Sequence, residues 1–393
     1  MVRYAAALSQ HPVAVEAIGE ALGGVLEQLD GLRPDLMVLV TSPHHSAALD
    51  DIRDAVRSVA APESLIGCTA AMVAGGDQEI EDGPALSLWA AHWGGGHAST
   101  IELQVVPEPD GLRIDGWPDH LPAAGTLLLL ADPFSFPTPE FLTICNRQAP
   151  HLSVVGGLAS AGRAPGDNRL VVDGRTTSTG AVGVLLDARV PVWTAVSQGC
   201  QPVGRPFTVT ASERNVVREL AGRSAIERLQ EVVEALPTRE YELLRSGIHV
   251  GIVVDEHKAD FDRGDFLVRN VLGADADRGL TVGEFVDVGQ TVQFHVRDAE
   301  SAHDDLHAVV RRSVRGRRSA LAALMFTCNG RGSNLFGRPN HDAALVHELA
   351  DDDLCLTGMS CAGELGPVGG RTFLHGFTAS LALFGDSLVL VDA

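Results

Sequence analysis

The sequence predicts an α+β or mixed α/β protein built from two related modules, with mixed or antiparallel sheets flanked by helices. Three observations carry this. Apolar runs of strand length alternate with segments of helical period; an apolar strand ending in glycine and small residues occurs three times; and the helices fall ahead of those strands. Packing sheet on sheet would make the whole a four-layer α/β/β/α sandwich.

Taken in order, 13–29 sets Val15, Ile18, Leu22, Leu26 and Leu29 on one helical face, and Pro34 ends the segment. Strand-like 36–40 follows, then a helix over 47–60 with Leu49, Ile52, Ala55 and Val56 inward, then a strand at 64–66. Strands continue at 83–90, 101–106 and 126–130. A helix over 138–146 opens on Thr138 and Pro139, and strands at 152–155 and 180–185 follow. Glycines close the recurring unit in pairs: Gly67 with Gly83, Gly157 with Gly180, Gly358 with Gly376. Loops this short suit hairpin-like antiparallel units better than crossovers. Beyond strands at 193–197 and 207–210, Ser212 reads as the cap of a helical stretch that 224–236 continues. The domain boundary is placed near Pro237, giving modules 1–238 and 239–393. Short strands at 248–254, 266–270, 279–282 and 292–295, a helix over 301–314, a strand at 322–327 and a helix over 340–352 complete the chain.

Composition bounds the function. At 393 residues and 45% hydrophobic the chain is a packed globular protein rather than a disordered one. A formal net charge of -21 argues against nucleic acid or an anionic membrane surface as the main partner. Six scattered cysteines without a CxxC pair, an N-terminus unlike a signal peptide, and no apolar run of membrane-spanning length imply a cytoplasmic protein with free thiols. The 15 histidines fall singly or outside ligand spacing, and no phosphate-cradling glycine motif occurs in strand-to-helix context, so neither metal nor cofactor is expected.

The candidate site lies in the C-terminal stretch, where two strands run into glycine-rich turns: Cys328 to Gly332, and Gly358 to Glu364. Arg331, Cys361 and Glu364 sit among small and apolar residues. Buried charges must be paired or must bind something. Arg331 could hold a ligand carboxylate in a two-bond grip and Glu364 a ligand amine, or the two could pair with each other. Asn329, Thr378, Ser160 and Cys68 complete the candidate ligand-binding set.

With these residues in hand, the chain resembles the FIST family (F-box and intracellular signal transduction domain). The first module is similar through LIGCTAAMVAGG, GPALSLWAAHW, VVGGLAS and GAVGVLL. The second is similar through MFTCNGRG, LFG, GMSCAGELGPVGG and LHGFTASL. The resemblance covers roughly 36–384 and leaves no room for an F-box. It implies a stand-alone sensory protein in intracellular signalling that binds a small molecule such as an amino acid or small carboxylate and acts on a signalling partner. Two alternatives stand beside it. One is an enzyme with Cys68 or Cys361 as nucleophile and a histidine such as His375 as base. The other is a ligand-free scaffold.

Overall fold

The computed structural model describes residues 2–386 apart from 109–110, 119–120, 122–123, 245–246, 315–319 and 351–352. The last two positions of the helix expected over 340–352 lie outside the described residues. The mixed and antiparallel sheets flanked by helices are those the sequence predicts. By contacts the chain divides into two compact units, Met1–Val196 with Leu306–Ala393, and Ser197–Asp305.

The larger unit is three copies of one motif. The first runs β1 (Arg3–Ser9), α1 (Ala14–Leu29), β2 (Leu36–Thr41), α2 (Leu49–Val59), β3 (Ser64–Thr69), the hairpin β4 (Val73–Gly75) and β5 (Gln78–Ile80), then β6 (Leu86–His92). The second runs β7 (Ala98–Glu108), β8 (Gly111–Asp115), β9 (Gly125–Ala131), α3 (Thr138–Gln148), β10 (Leu152–Leu158), the hairpin β11 (Leu170–Val172) and β12 (Arg175–Thr177), then β13 (Ala181–Asp187). The third begins with β14 (Val192–Gln198) and is interrupted by the smaller unit. That unit holds β15 (Cys200–Glu213), β16 (Val216–Leu220), β17 (Arg223–Ser224), α4 (Ala225–Ala235), α5 (Thr238–Leu243), β18 (Ile248–Val253), β19 (Phe266–Ala274), β20 (Leu280–Val282) and β21 (Thr291–Arg297). The third copy resumes with α6 (Ala299–Val314), β22 (Ala322–Cys328), α7 (Ser333–Phe336), α8 (His341–Ala350), β23 (Cys355–Cys361), the hairpin β24 (Glu364–Val368) and β25 (Arg371–His375), and β26 (Thr378–Phe384).

In each copy the strand before the helix pairs parallel with the glycine-bearing strand after it: β2 with β3, β9 with β10, β22 with β23. The returning strands β6, β13 and β26 pair antiparallel with the first of each couple. The helix ahead of each glycine strand makes that parallel connection a crossover. The glycine strand and its returning strand, expected as a hairpin-like unit, do run antiparallel, but they are not neighbours: β2, β9 or β22 lies between them. The hairpins that follow the glycines leave home. β4 joins β23 of the third copy, β11 joins β3 of the first, and β24 joins β10 of the second, so each sheet is completed by another copy.

The recurring glycine is a packing requirement. A Cβ on Gly67, Gly156 or Gly358 would stand 2.4, 2.0 or 2.6 Å from the carbonyl oxygen of Leu39, Leu129 or Met325 on the paired strand. In the second copy the residue is Gly156, one position before the Gly157 read from sequence. The inner faces of three sheets share one core, with Val38, Ile66 and Trp89 from the first, Leu128, Val155 and Val184 from the second, and Leu324, Met359 and Phe384 from the third. Outer faces are covered separately, by α1 and α2, by α3, and by α6 and α8.

The smaller unit has its own core, including Phe207, Val209, Val250, Ile252 and Phe294. The Gln198 amide donates to Asp305 at 2.7 Å, so its entry and exit are adjacent. The boundary expected near 238 falls inside this unit. The helix expected from Ser212 is instead the hairpin of β15 and β16, turning at Arg214 with φ 54°; the helix begins after Ser224, whose hydroxyl accepts from the Glu227 amide. The β-branched run from Val209 into Val216–Leu220 favours pleated pairing over a helix.

Candidate functional site

The C-terminal ends of the paired strands are equivalent in the three copies, so their occupants can be compared by register. On the strand that each incoming hairpin contributes, the residue opposite Met359 is Val73, the residue opposite Cys68 is Leu170, and the residue opposite Gly157 is Glu364. All three are fully buried. Two copies thus place an aliphatic side chain where the third places a carboxyl group. The start of the returning strand differs in step. The Ala85 and Gly180 amides donate to serine hydroxyls, Ser42 and Ser135, whereas the Thr378 amide and hydroxyl donate to Glu364 Oε2 at 3.1 and 2.8 Å.

Around Glu364 the third copy carries further polar groups. Beyond β22 the chain turns through Arg331, which is 2% exposed, and the guanidinium donates from Nε and Nη2 to Asp342 at 2.6 and 2.9 Å. Asp342 is fully buried in the first turn of α8, where it also meets His341 Nδ1 at 2.9 Å. The His341 ring stacks on Phe336, whose face Arg331 also covers. From the first copy, Glu79 on β5 arrives 3% exposed and accepts the Asp342 amide at 3.3 Å. Arg331 and Glu364 do not pair with each other; Arg331 is taken by Asp342.

Burial opposes charge on all these groups, and their partners decide which remain ionised. Burial pushes Asp342 up, but the charge and hydrogen bonds of Arg331 outweigh it and hold the carboxyl down at about 2. Arg331 stays firmly protonated for the reciprocal reason: burial lowers it, and Asp342 more than offsets that. Glu364 is pushed up to about 8 by burial, against the lowering effect of the Thr378 hydrogen bonds. Glu79 is pushed up to about 8 by burial and then by the neighbouring Asp342 charge. At neutral pH the cluster is one ion pair flanked by two protonated carboxyls. Glu79 Oε1 is buried without a hydrogen-bond partner among the described residues. Glu364 Oε1 is buried with none beyond the weak thiol donor of half-buried Cys328.

Of the residues singled out from sequence, Arg331, Glu364, Cys361 and Thr378 come together at these strand ends. Asn329 is exposed beside them, its amide donating to the Cys361 carbonyl at 3.0 Å. Ser160 sits at the equivalent end of the second copy, where its hydroxyl accepts from the Ala71 amide and donates to the Ser360 carbonyl at 2.6 Å, tying all three copies together. Cys68 lies in the shared core with Sγ 3.3 Å from Met359 Sδ. Burial pushes its thiol up to about 12 and that of Cys361 up as well, which disfavours the thiolate a nucleophile needs. Sequence reading missed Glu79 and Asp342. Glu79 sits in a polar loop, GGDQEIEDG, with no apolar frame around it, and Asp342 looks like an ordinary first-turn acid on a surface helix. Among the described residues no group of three or more histidine, cysteine, aspartate or glutamate side chains is placed to hold a metal ion.

The comparisons with known proteins agree with the repeat-bearing motifs. A FIST N domain matches residues 35–223 and a FIST C domain matches residues 225–367. The chain belongs to the FIST family. FIST domains are associated with sensory roles in signal transduction. This FIST protein is 43% identical to uncharacterized protein MT0897 of Mycobacterium tuberculosis (strain CDC 1551 / Oshkosh), over 96% of this chain and 97% of that one. It is 42% identical to uncharacterized protein Rv0628c of Mycobacterium tuberculosis (strain ATCC 25618 / H37Rv), over 98% of this chain and 100% of that one. Among solved structures, T. maritima PurL complexed with ATP aligns at TM-score 0.26 and 10% identity, over 98% of this chain and 72% of that one. No described helix is long and apolar enough to cross a membrane.

Proposed function

We propose that this FIST protein is a cytoplasmic small-molecule sensor whose ligand, an amino acid or small carboxylate, binds at the strand ends of the third copy and so reports to a signalling partner. The observation that carries the reading is the carboxyl of Glu364 in a position that Val73 and Leu170 fill elsewhere. The fold does not need an acid there, and an incompletely satisfied buried carboxyl costs stability. A strongly perturbed acid beside a specific charge partner marks a candidate functional site. In this reading Glu364 meets the ligand, Thr378 and Arg331 orient the walls, Asn329 stands at the mouth, and Cys361, Ser160 and Cys68 hold the strand ends in place.

The test is a thermal-shift screen of amino acids and small carboxylates on the full chain, repeated on Arg331→Ala. A ligand at a hundred times its Kd stabilises the native state by about 2.7 kcal/mol, enough to raise the midpoint measurably. A screen in which no compound moves the midpoint refutes the proposal. An unchanged shift in the variant removes Arg331 from the site.

A further inference from the structure

Arg331 is the group a carboxylate would seek, and the side of its guanidinium that grips a carboxylate through Nε and Nη2 is already occupied. Nε and Nη2 hold Asp342, and Nη1 lies 3.4 Å from the Phe377 carbonyl oxygen. A ligand carboxylate could take that two-bond grip, the strong arrangement for such a pair, only by displacing a buried carboxylate. The turn offers little more. The Asn329 amide donates to the Cys361 carbonyl and the Arg331 amide to the Cys328 carbonyl, at 3.0 and 2.9 Å.

The acceptors are in the opposite condition. Glu364 Oε2 takes both hydrogen bonds from Thr378, while Oε1, fully buried, has no hydrogen-bond partner among the described residues unless the weak thiol donor of Cys328, which also meets this carboxyl, reaches it. Across Arg331, Glu79 Oε1 also lacks a donor among the described residues. The strand ends therefore have buried acceptors to spare and few donors. Nearby positions are closer to solvent: Cys328 is half-buried and Ala362, two residues before Glu364, is exposed.

We propose that Glu364 Oε1 binds the primary ammonium group of an organic ligand, so that the site recognises the amine end of its ligand and not a carboxylate. The inference rests on the small-molecule reading above and narrows it. An ammonium supplies the hydrogen-bond donors that Oε1 lacks and the positive charge that an ionised Glu364 requires. Arg331 favours the ionised form, but its Nε and Nη2 are held by Asp342 and not by Glu364. The titratable groups around Glu364 are Arg331, Cys328, Cys361 and, across the β24–β25 ladder, His375; those around Glu79 are Asp342, Arg331 and Glu81. Since burial keeps Glu364 protonated at neutral pH, ammonium binding displaces its proton to solvent.

The experiment uses the full chain and matched probes that differ by one group: each amino acid, its decarboxylated amine and its deaminated acid, as in leucine, isoamylamine and isocaproate. The expected result is that amino acids and amines of one side-chain class raise the thermal midpoint, whereas the deaminated acids do not. Calorimetry in buffers of different ionisation enthalpy should show release of about one proton per ligand, and Glu364→Gln should weaken binding by about tenfold or more. Glu364→Val, which installs the side chain of the first copy, gives a second variant with the same expected loss. Deaminated acids that bind while amines do not, or amine binding untouched by both variants, overturn the inference and leave the sensor reading standing. No shift from any member of the series sinks both.

Discussion

Replacing Glu364 by Gln isolates the cost of the buried carboxyl. The amide oxygen still accepts from the Thr378 amide and hydroxyl, so packing and hydrogen bonds persist while titration is lost. In the native protein Glu364 holds its proton to about pH 8, against an ordinary value of 4.5. A raised folded-state value means that the unfolded chain releases its proton first. The carboxyl's stability contribution is therefore intact below pH 4.5 and is lost progressively up to pH 8. At about 1.4 kcal/mol per pH unit, the variant should be more stable than the parent by about 3 kcal/mol at pH 7 and by about 5 kcal/mol at pH 8, with little difference near pH 4.5. Urea unfolding of both proteins at several pH values between 5 and 8 measures this directly. A stability difference that does not change with pH would refute the argument, because it would mean that Glu364 is ionised in the native state.

Three more outcomes follow from the same structure. Gly157→Ala should destabilise the larger unit by about 1–3 kcal/mol or more, since a Cβ there would stand 2.2 Å from Cys361 Sγ; denaturant midpoints check it. A fragment of residues 1–238 should not give cooperative unfolding in calorimetry, because β4–β5 would lack β23 to pair with and β10 would lack β24. In the smaller unit, burial lowers His249 and His295 to about 4, so their contribution is present above pH 6.5 and is lost as pH falls toward 4. Hydrogen exchange should accordingly show that unit opening first under acid, at up to about 1.4 kcal/mol per pH unit per ring, while alkali weakens the larger unit first.

Local pattern was enough for the element types. The 3.6-residue spacing of Ile18, Leu22 and Leu29 makes α1, whose buried face packs on the first sheet. The unbroken apolar runs that became β2, β9 and β22 are strands buried on both faces. The glycine recurrence was also visible, and its cause is local, the close approach of a neighbouring backbone carbonyl. The short hairpin β4–β5 was not visible. VAGGDQEI has the Gly76–Asp77 turn of a tight hairpin but too few apolar residues to mark strands on either side, and its β4 strand finds a partner in β23 of another copy.

What the sequence determined by itself, then, is the set of strands and helices, the repeated glycine unit, and the presence of charges in an apolar turn at Arg331 and Glu364. Only the tertiary structure decided that the larger unit repeats one motif three times, that each copy lends a hairpin to another's sheet, and that Arg331 answers to Asp342 instead of Glu364. The reason is range. Periodicity records which face of an element is buried, whereas a contact such as that between Glu79 and Asp342, 263 residues apart, forms only when the copies assemble. Register also makes Glu364 informative, because it sets that carboxyl in line with Val73 and Leu170, a comparison that chain order does not reveal.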